Sequence, residues 1–180
     1  MDTHKLNFTA LETQIFSYLC IKTGANLSQR DIAKSLNVSP TAISNSVKKL
    51  EKEDLINIKK TKTINFISFN RDNKKAIQLK RTENLKHIYT SGLANYLEEY
   101  LAGSTIMLFG SYSKGEDTIN SDIDIAIIER KNKEINLDKF EKILSRKINI
   151  NFYSSWKDIH KNLRNNILNG ITLSGSVSLW

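Results

Sequence analysis

The stretch LFGSYSKGEDTINSDIDIAII, residues 108–128, constrains this chain more than any other. An apolar run ends in Gly110-Ser111, a polar loop follows, and an alternating run then carries Asp122 and Asp124. Alternation with a period of two reads as a strand, so both carboxylates project from one face. Gly110 lacks a Cβ, which lets the backbone turn sharply and come close to a phosphate. Ser111 offers a hydroxyl and an amide to the same group, the more so if a helix begins there. Two carboxylates held that close repel unless a divalent cation sits between them. Hard oxygen ligands of this kind suit Mg²⁺, or Mn²⁺ in its place, bridging to substrate phosphates. Each piece is common by itself, and such a strand can also be the solvent face of a half-buried sheet. The weight lies in the spacing, because strand–loop–strand order puts the bend beside the carboxylates.

The pattern around this stretch alternates strand and helix, which favours α/β architecture. Strands are expected over Thr105–Phe109, Ile123–Ile128 and Ile148–Tyr153. A helix is expected near Leu137–Lys147, a last helix over Ser155–Asn169, and then a short apolar tail. Upstream, residues 71–101 read as two helices, broken near residues 81–84 or at Ser91-Gly92. No Pro/Gly/Ser-rich stretch occurs there, so residues 71–84 are expected to form a helical linker rather than a floppy one.

The first 70 residues follow a different plan. Leu11, Ile15 and Leu19 form one apolar stripe, Thr9 with Glu12 reads as a capping box, and Gly24 as a C-cap. Ser28 with Asp31 opens a second helix, and Ser39 with Pro40 a third, in which Ile43, Val47 and Leu50 share one face. Beyond it LINIKK and TINFISFN alternate as strands, joined through lysines into a hairpin. Three helices and a basic hairpin make a winged helix-turn-helix, whose third helix can enter a major groove. Ser39, Thr41, Ser44, Asn45 and Lys48 are then placed to touch DNA, Asn by gripping an adenine edge. Lys59, Lys60 and Lys62 of the wing would meet phosphates and confer salt dependence.

Charge agrees with this division. Residues 1–82 hold 15 Lys and Arg against 7 Asp and Glu, whereas residues 83–180 hold 12 of each. The net +8 therefore belongs to the first part, as expected if only that part meets a polyanion. The one cysteine, Cys20, excludes a disulfide within the chain and sits in an apolar helical stretch, where packing is its expected role. No apolar run is long enough to span a bilayer and the start lacks a signal-peptide pattern, so no membrane partner and cytoplasmic residence are expected. His4, His87 and His160 have no mutual spacing for zinc; surface or capping roles are expected. Tyr96, Tyr100, Trp156 and Trp180 are expected in core or interface positions.

The first 70 residues resemble the MarR-like winged-helix regulators in pattern. Residues 85–180, with Gly110-Ser111, Asp122 and Asp124, resemble the minimal nucleotidyltransferases of the polymerase-beta-like superfamily; GITLSG looks like that family's closing strand or turn. The expected fold class is α+β: a winged helix over residues 1–70, the linker, then a small α/β nucleotidyltransferase-fold domain with a mixed sheet. The resemblance implies transfer of a nucleoside monophosphate from a nucleoside triphosphate, ATP being the one expected, to a hydroxyl. Gly110 and Ser111 would hold the triphosphate, and Asp122 and Asp124 would bind metal and be catalytic. That family places a third carboxylate on the next strand, but here KINININF offers Asn149 and Asn151. An asparagine oxygen ligates weakly and cannot take a proton. Glu116, Asp117 and Asp158 lie elsewhere. Double-stranded DNA is the expected partner, bound by a homodimer. A likeness to minimal nucleotidyltransferase antitoxins implies a HEPN-type toxin as a further partner.

Overall fold

In the computed structural model, which describes residues 7–178, helix α1 (Ala10–Ile21) opens on its capping box. The Thr9 hydroxyl accepts from the Glu12 amide at 3.3 Å, and the Glu12 carboxylate accepts from the Thr9 amide at 2.7 Å. That backbone donation from Thr9 is the main reason the Glu12 carboxyl lies below its ordinary value. Helix α2 (Gln29–Leu36) repeats the device with Ser28 and Asp31. Helix α3 (Pro40–Lys52) starts with Ser39 accepting from the Ala42 amide at 3.1 Å and Pro40 at its first position. Between α2 and α3, Asn37 adopts left-handed backbone with φ 54°, which its short polar side chain tolerates.

Strands β2 (Ile56–Lys60) and β3 (Asn65–Phe69) pair antiparallel from Ile56–Phe69 to Lys60–Asn65. A third strand, β1 (Leu27–Ser28), adds to β3, giving the order β1-β3-β2. Two residues carry no visible alternation, so β1 escapes a reading by period. Ile15, Leu19, Cys20, Ile32, Ile43, Val47, Leu50 and Ile67 are buried together with Phe16 and Phe69, whose ring centroids lie 6.0 Å apart. Cys20 is packing material, as its surroundings imply.

The chain divides into two compact units between Ile77 and Gln78. Helix α4 (Lys74–Thr90) runs unbroken through residues 81–84, so the break is the one at Ser91-Gly92, where Gly92 takes φ 79° before α5 (Leu93–Tyr100). Next come β4 (Thr105–Phe109), α6 (Gly110–Lys114), β5 (Ile123–Ile128), α7 (Asp138–Leu144) and β6 (Ile148–Tyr153). The last helix is shorter than the pattern implied. A Ser155–Asp158 capping box opens a 3-10 turn (Trp156–Asp158), Ile159 is extended and buried, and only then does α8 (Lys161–Leu168) begin. The apolar tail is strand β7 (Ile171–Ser174).

The sheet order is β6-β5-β4-β7, with β5 and β6 parallel and the other pairs antiparallel, a mixed sheet. Ile123, Ile125 and Ile127 pack on one side with Leu97, Phe140 and Leu144. Met107, Phe109, Ala126 and Ile128 pack on the other with Trp156, Ile159 and Ile167. Each buried Ile or Leu contributes about 1.5–3 kcal/mol, so the central strands are the rigid part of this unit. Trp156 and Tyr96 occupy or adjoin the core, Tyr100 stacks on Tyr96, and Trp180 and His4 lie outside the described residues. Among the described residues no helix is long and apolar enough to cross a membrane.

Candidate functional site

Along β5, Ile128 and Ala126 face the α8 side of the sheet, and at Asp124 that apolar row gives way to a carboxylate. Asp122 lies one residue ahead of the strand rather than inside it. Parallel pairing places Asn149 of β6 opposite Asp124 and Asn151 opposite Ala126. The Asn149 side-chain amide donates to Asp122 Oδ2 at 3.1 Å and to Asp124 Oδ1 at 3.3 Å. One amide reaching both carboxylates means that they converge. Asp122 and Asn149 are exposed and Asp124 is half-buried, so the trio opens to solvent.

Gly110 begins α6 with φ 76°, in the region that disfavours any side chain. A Cβ placed there would stand 2.5 Å from Asp124 Oδ2 and 3.4 Å from its Cγ. The glycine therefore does two things: it permits the turn, and it keeps the space beside Asp124 clear. Ser111 follows, half-buried, and the Ser113 hydroxyl donates to the Gly110 carbonyl at 2.8 Å. The bend is thus adjacent to the carboxylates.

The other acids are engaged or distant. Asp117 is buried in an ion-paired cluster, Asp158 caps its own turn, and Glu116 is exposed. Among the described residues, no group of three or more His, Cys, Asp and Glu gathers to hold a metal. What gathers is two carboxylates and the Asn149 amide, whose nitrogen faces both of them. His160 is the N-cap residue of α8 without a side-chain cap bond, and His87 is half-buried on α4, where burial lowers its pKa. A cleft of about 480 Å³ flanks Asp122, lined also by Ser121, Asp138, Lys142, Arg146 and Lys147. Sequence reading missed this wall, since α7 and the turn after it carry no motif.

In the first unit, Ser39, Thr41, Asn45 and Lys48 are exposed on or beside α3 and Ser44 is half-buried. Lys59 and Lys60 end β2 exposed, and Lys62 occupies a turn that Thr61 closes by accepting from the Ile64 amide. A cleft of about 470 Å³ separates this turn from the starts of α2 and α3, lined by Gln29, Arg30, Pro40, Thr61 and Lys62 among others. Arg30 was not among the residues singled out by pattern. Its cationic side chain is exposed and shares the cleft wall with Lys62.

These two folds define a chain that joins a winged helix-turn-helix to a nucleotidyltransferase-type α/β domain. Residues 19–57 match a family model described as winged helix-turn-helix DNA-binding, and residues 91–176 match one described as polymerase beta, nucleotidyltransferase. Among solved structures, the chain is similar to the adhesin competence repressor AdcR of Streptococcus pyogenes: 21% identity, TM-score 0.42, over 57% of this chain and 72% of that one. A ZitR variant from Lactococcus lactis is 20% identical with TM-score 0.41, over 53% and 64% of the two chains. A MepR–DNA complex from S. aureus is 21% identical with TM-score 0.38, over 53% and 73%. No curated protein matches the chain.

Proposed function

We propose that this protein binds DNA through its first unit and a nucleoside triphosphate with a divalent cation through its second, and transfers a nucleoside monophosphate to a hydroxyl acceptor. The carrying observation is the convergence of Asp122 and Asp124 on one amide beside a glycine whose Cβ would strike Asp124. Asp122 and Asp124 would hold the cation, with the Asn149 carbonyl oxygen as a third donor if its amide turns over. Such a cation, when bound, neutralises phosphate charge and favours in-line displacement. Gly110 leaves backbone exposed to the triphosphate, and Ser111 offers its hydroxyl and amide to phosphate oxygens. In the transfer, the acceptor oxygen bonds to the α-phosphorus, the bond to the bridging oxygen breaks, and pyrophosphate leaves. The acceptor proton passes to water, because Asn149 cannot take it.

Incubation with α-labelled ATP, Mn²⁺ and candidate acceptors tests the reading. Label should reach an acceptor with the wild type and not with Asp124→Asn; equal labelling by both would refute the assignment. Asn149 also favours a second reading, in which the domain binds nucleotide without transferring it and reports it through DNA affinity. Nucleotide-dependent DNA binding with no label transfer selects that reading.

For the first unit, the proposed DNA surface comprises Ser39, Thr41, Ser44, Asn45 and Lys48 with Lys59, Lys60 and Lys62. A homodimer on a two-fold site would double the phosphate contacts. With about 6–10 such contacts, raising salt from 50 to 200 mM should weaken binding by about 10³–10⁵-fold. Lys48→Ala and Lys60→Ala should each lower the log–log salt slope by about 1 for every phosphate that the lysine neutralises in wild type. Fluorescence anisotropy with labelled duplexes of varied sequence measures both. Variants that bind every duplex as tightly as wild type would remove these lysines from the surface.

A further inference from the structure

The buried face of α4 is not a continuous apolar stripe. Ala76, Lys80, Asn84 and Ile88 lie four residues apart and are all buried, so two polar side chains occupy the centre of the helix's inner face. Both turn to Asp117, in the loop between α6 and β5. Lys80 Nζ donates to the Asp117 carbonyl at 3.0 Å and to its Oδ1. The Asn84 amide donates to the same Oδ1 at 2.7 Å and to the Tyr112 carbonyl at 2.9 Å. On the other carboxylate oxygen, Oδ2, Arg146 Nη2 sits 3.5 Å away. All four residues are more than nine-tenths buried.

The cluster ties together the segments that carry the site. Tyr112 follows Gly110-Ser111 within α6, Asp117 lies in the same loop as Asp122, and Arg146 stands three residues before Asn149 and lines the cleft beside Asp122. Burying two cations and a carboxylate is costly, and an apolar stripe of similar size would serve packing at least as well. Lys80 and Asn84 also precede the segment that matches the nucleotidyltransferase family, residues 91–176. They are a feature of this chain's α4.

We infer that Lys80, Asn84 and Arg146 act through Asp117 as positioning residues, fixing the Gly110–Ser121 loop so that the glycine–serine bend and the paired aspartates keep their mutual geometry. Asp117 is the hub because both of its carboxylate oxygens and its carbonyl face these partners. The inference rests on the nucleotide reading above only in its second readout.

Amide hydrogen exchange of the full chain tests it, comparing wild type with Asp117→Asn and with Asn84→Ala. The latter removes only neutral donors, so it serves if the charge change prevents folding. Exchange across residues 110–121 should speed up at least tenfold in the variants, with strands β4 and β5 unchanged. ATP·Mn²⁺ affinity should fall at least tenfold, and Asn84→Gln should recover part of both losses. Unchanged exchange in the loop, or faster exchange spread evenly through the second unit, overturns the positioning role. A wild type that binds no ATP·Mn²⁺ instead overturns the nucleotide reading, and the loop exchange still decides the role of the cluster.

Discussion

Asn149→Asp is expected to raise nucleotidyl transfer by about 10²–10⁴-fold, the usual range for supplying a general base. In the wild type the Asn149 amide donates to both aspartates and thereby plays the part of a cation between them. An aspartate at the same point of β6 would donate nothing, accept a proton from the attacking hydroxyl and add a negative charge. Without metal, three convergent carboxylates repel, so the variant should melt below wild type. With Mn²⁺ the order should reverse, because a ligand at about 100 times its dissociation constant stabilises by about 2.7 kcal/mol. Single-turnover transfer of labelled nucleotide, with melting curves at several Mn²⁺ concentrations, measures both. If the parent is inert and the variant active, the wild-type domain is a nucleotide sensor. A variant neither faster nor more responsive to Mn²⁺ would show that residue 149 does not face the metal.

Gly110→Ala is expected to lower ATP·Mn²⁺ affinity at least tenfold, equivalent to about 1.4 kcal/mol. Two effects combine at this position. Left-handed backbone costs a residue with a Cβ about 1–2 kcal/mol. The new methyl would also stand 2.5 Å from Asp124 Oδ2, so the carboxylate must move. Gly103→Ala separates the two, since Gly103 has φ 84° and nothing within 4 Å of the added Cβ. It should lose similar stability while nucleotide affinity stays unchanged. Thermal melts give the strain and fluorescence titration with a labelled ATP analogue gives the affinity. Equal affinity losses in the two variants would mean that strain, not the aspartate contact, governs the site.

The parts of this structure legible in the sequence are those fixed by local chemistry. Thr9 with Glu12, Ser28 with Asp31, and Ser39 with Pro40 each mark a helix start through bonds that reach only three residues along the chain. Strands β4, β5 and β6 emerge at their expected bounds because alternation and apolar runs are direct images of a sheet buried on two sides. What escaped was set by tertiary pairing. Strand β1 exists only because Leu27 and Ser28 lie against β3. The break comes where a 3-10 turn, opened by the Ser155–Asp158 capping box, gives way to extended backbone at the buried Ile159, against an otherwise helical pattern. Lys80 and Asn84 fall in the stretch expected as a helical linker, and a buried lysine is invisible until its carboxylate partner, 37 residues away, is brought to it. Of the candidate site, the juxtaposition of the bend, the aspartates and the asparagine was legible. The cleft wall of Lys142, Arg146 and Lys147 was not, having no spacing to announce it.

The most direct test of the account is equilibrium binding of ATP with Mn²⁺ to the full chain, followed by the electron paramagnetic resonance of the metal. Wild type should take up Mn²⁺ saturably with ATP, and Asp124→Asn should lose that uptake while its fold and its DNA binding persist. Identical Mn²⁺ and ATP titrations for the two proteins would contradict the claim that Asp122, Asp124 and the Gly110-Ser111 bend form one nucleotide site.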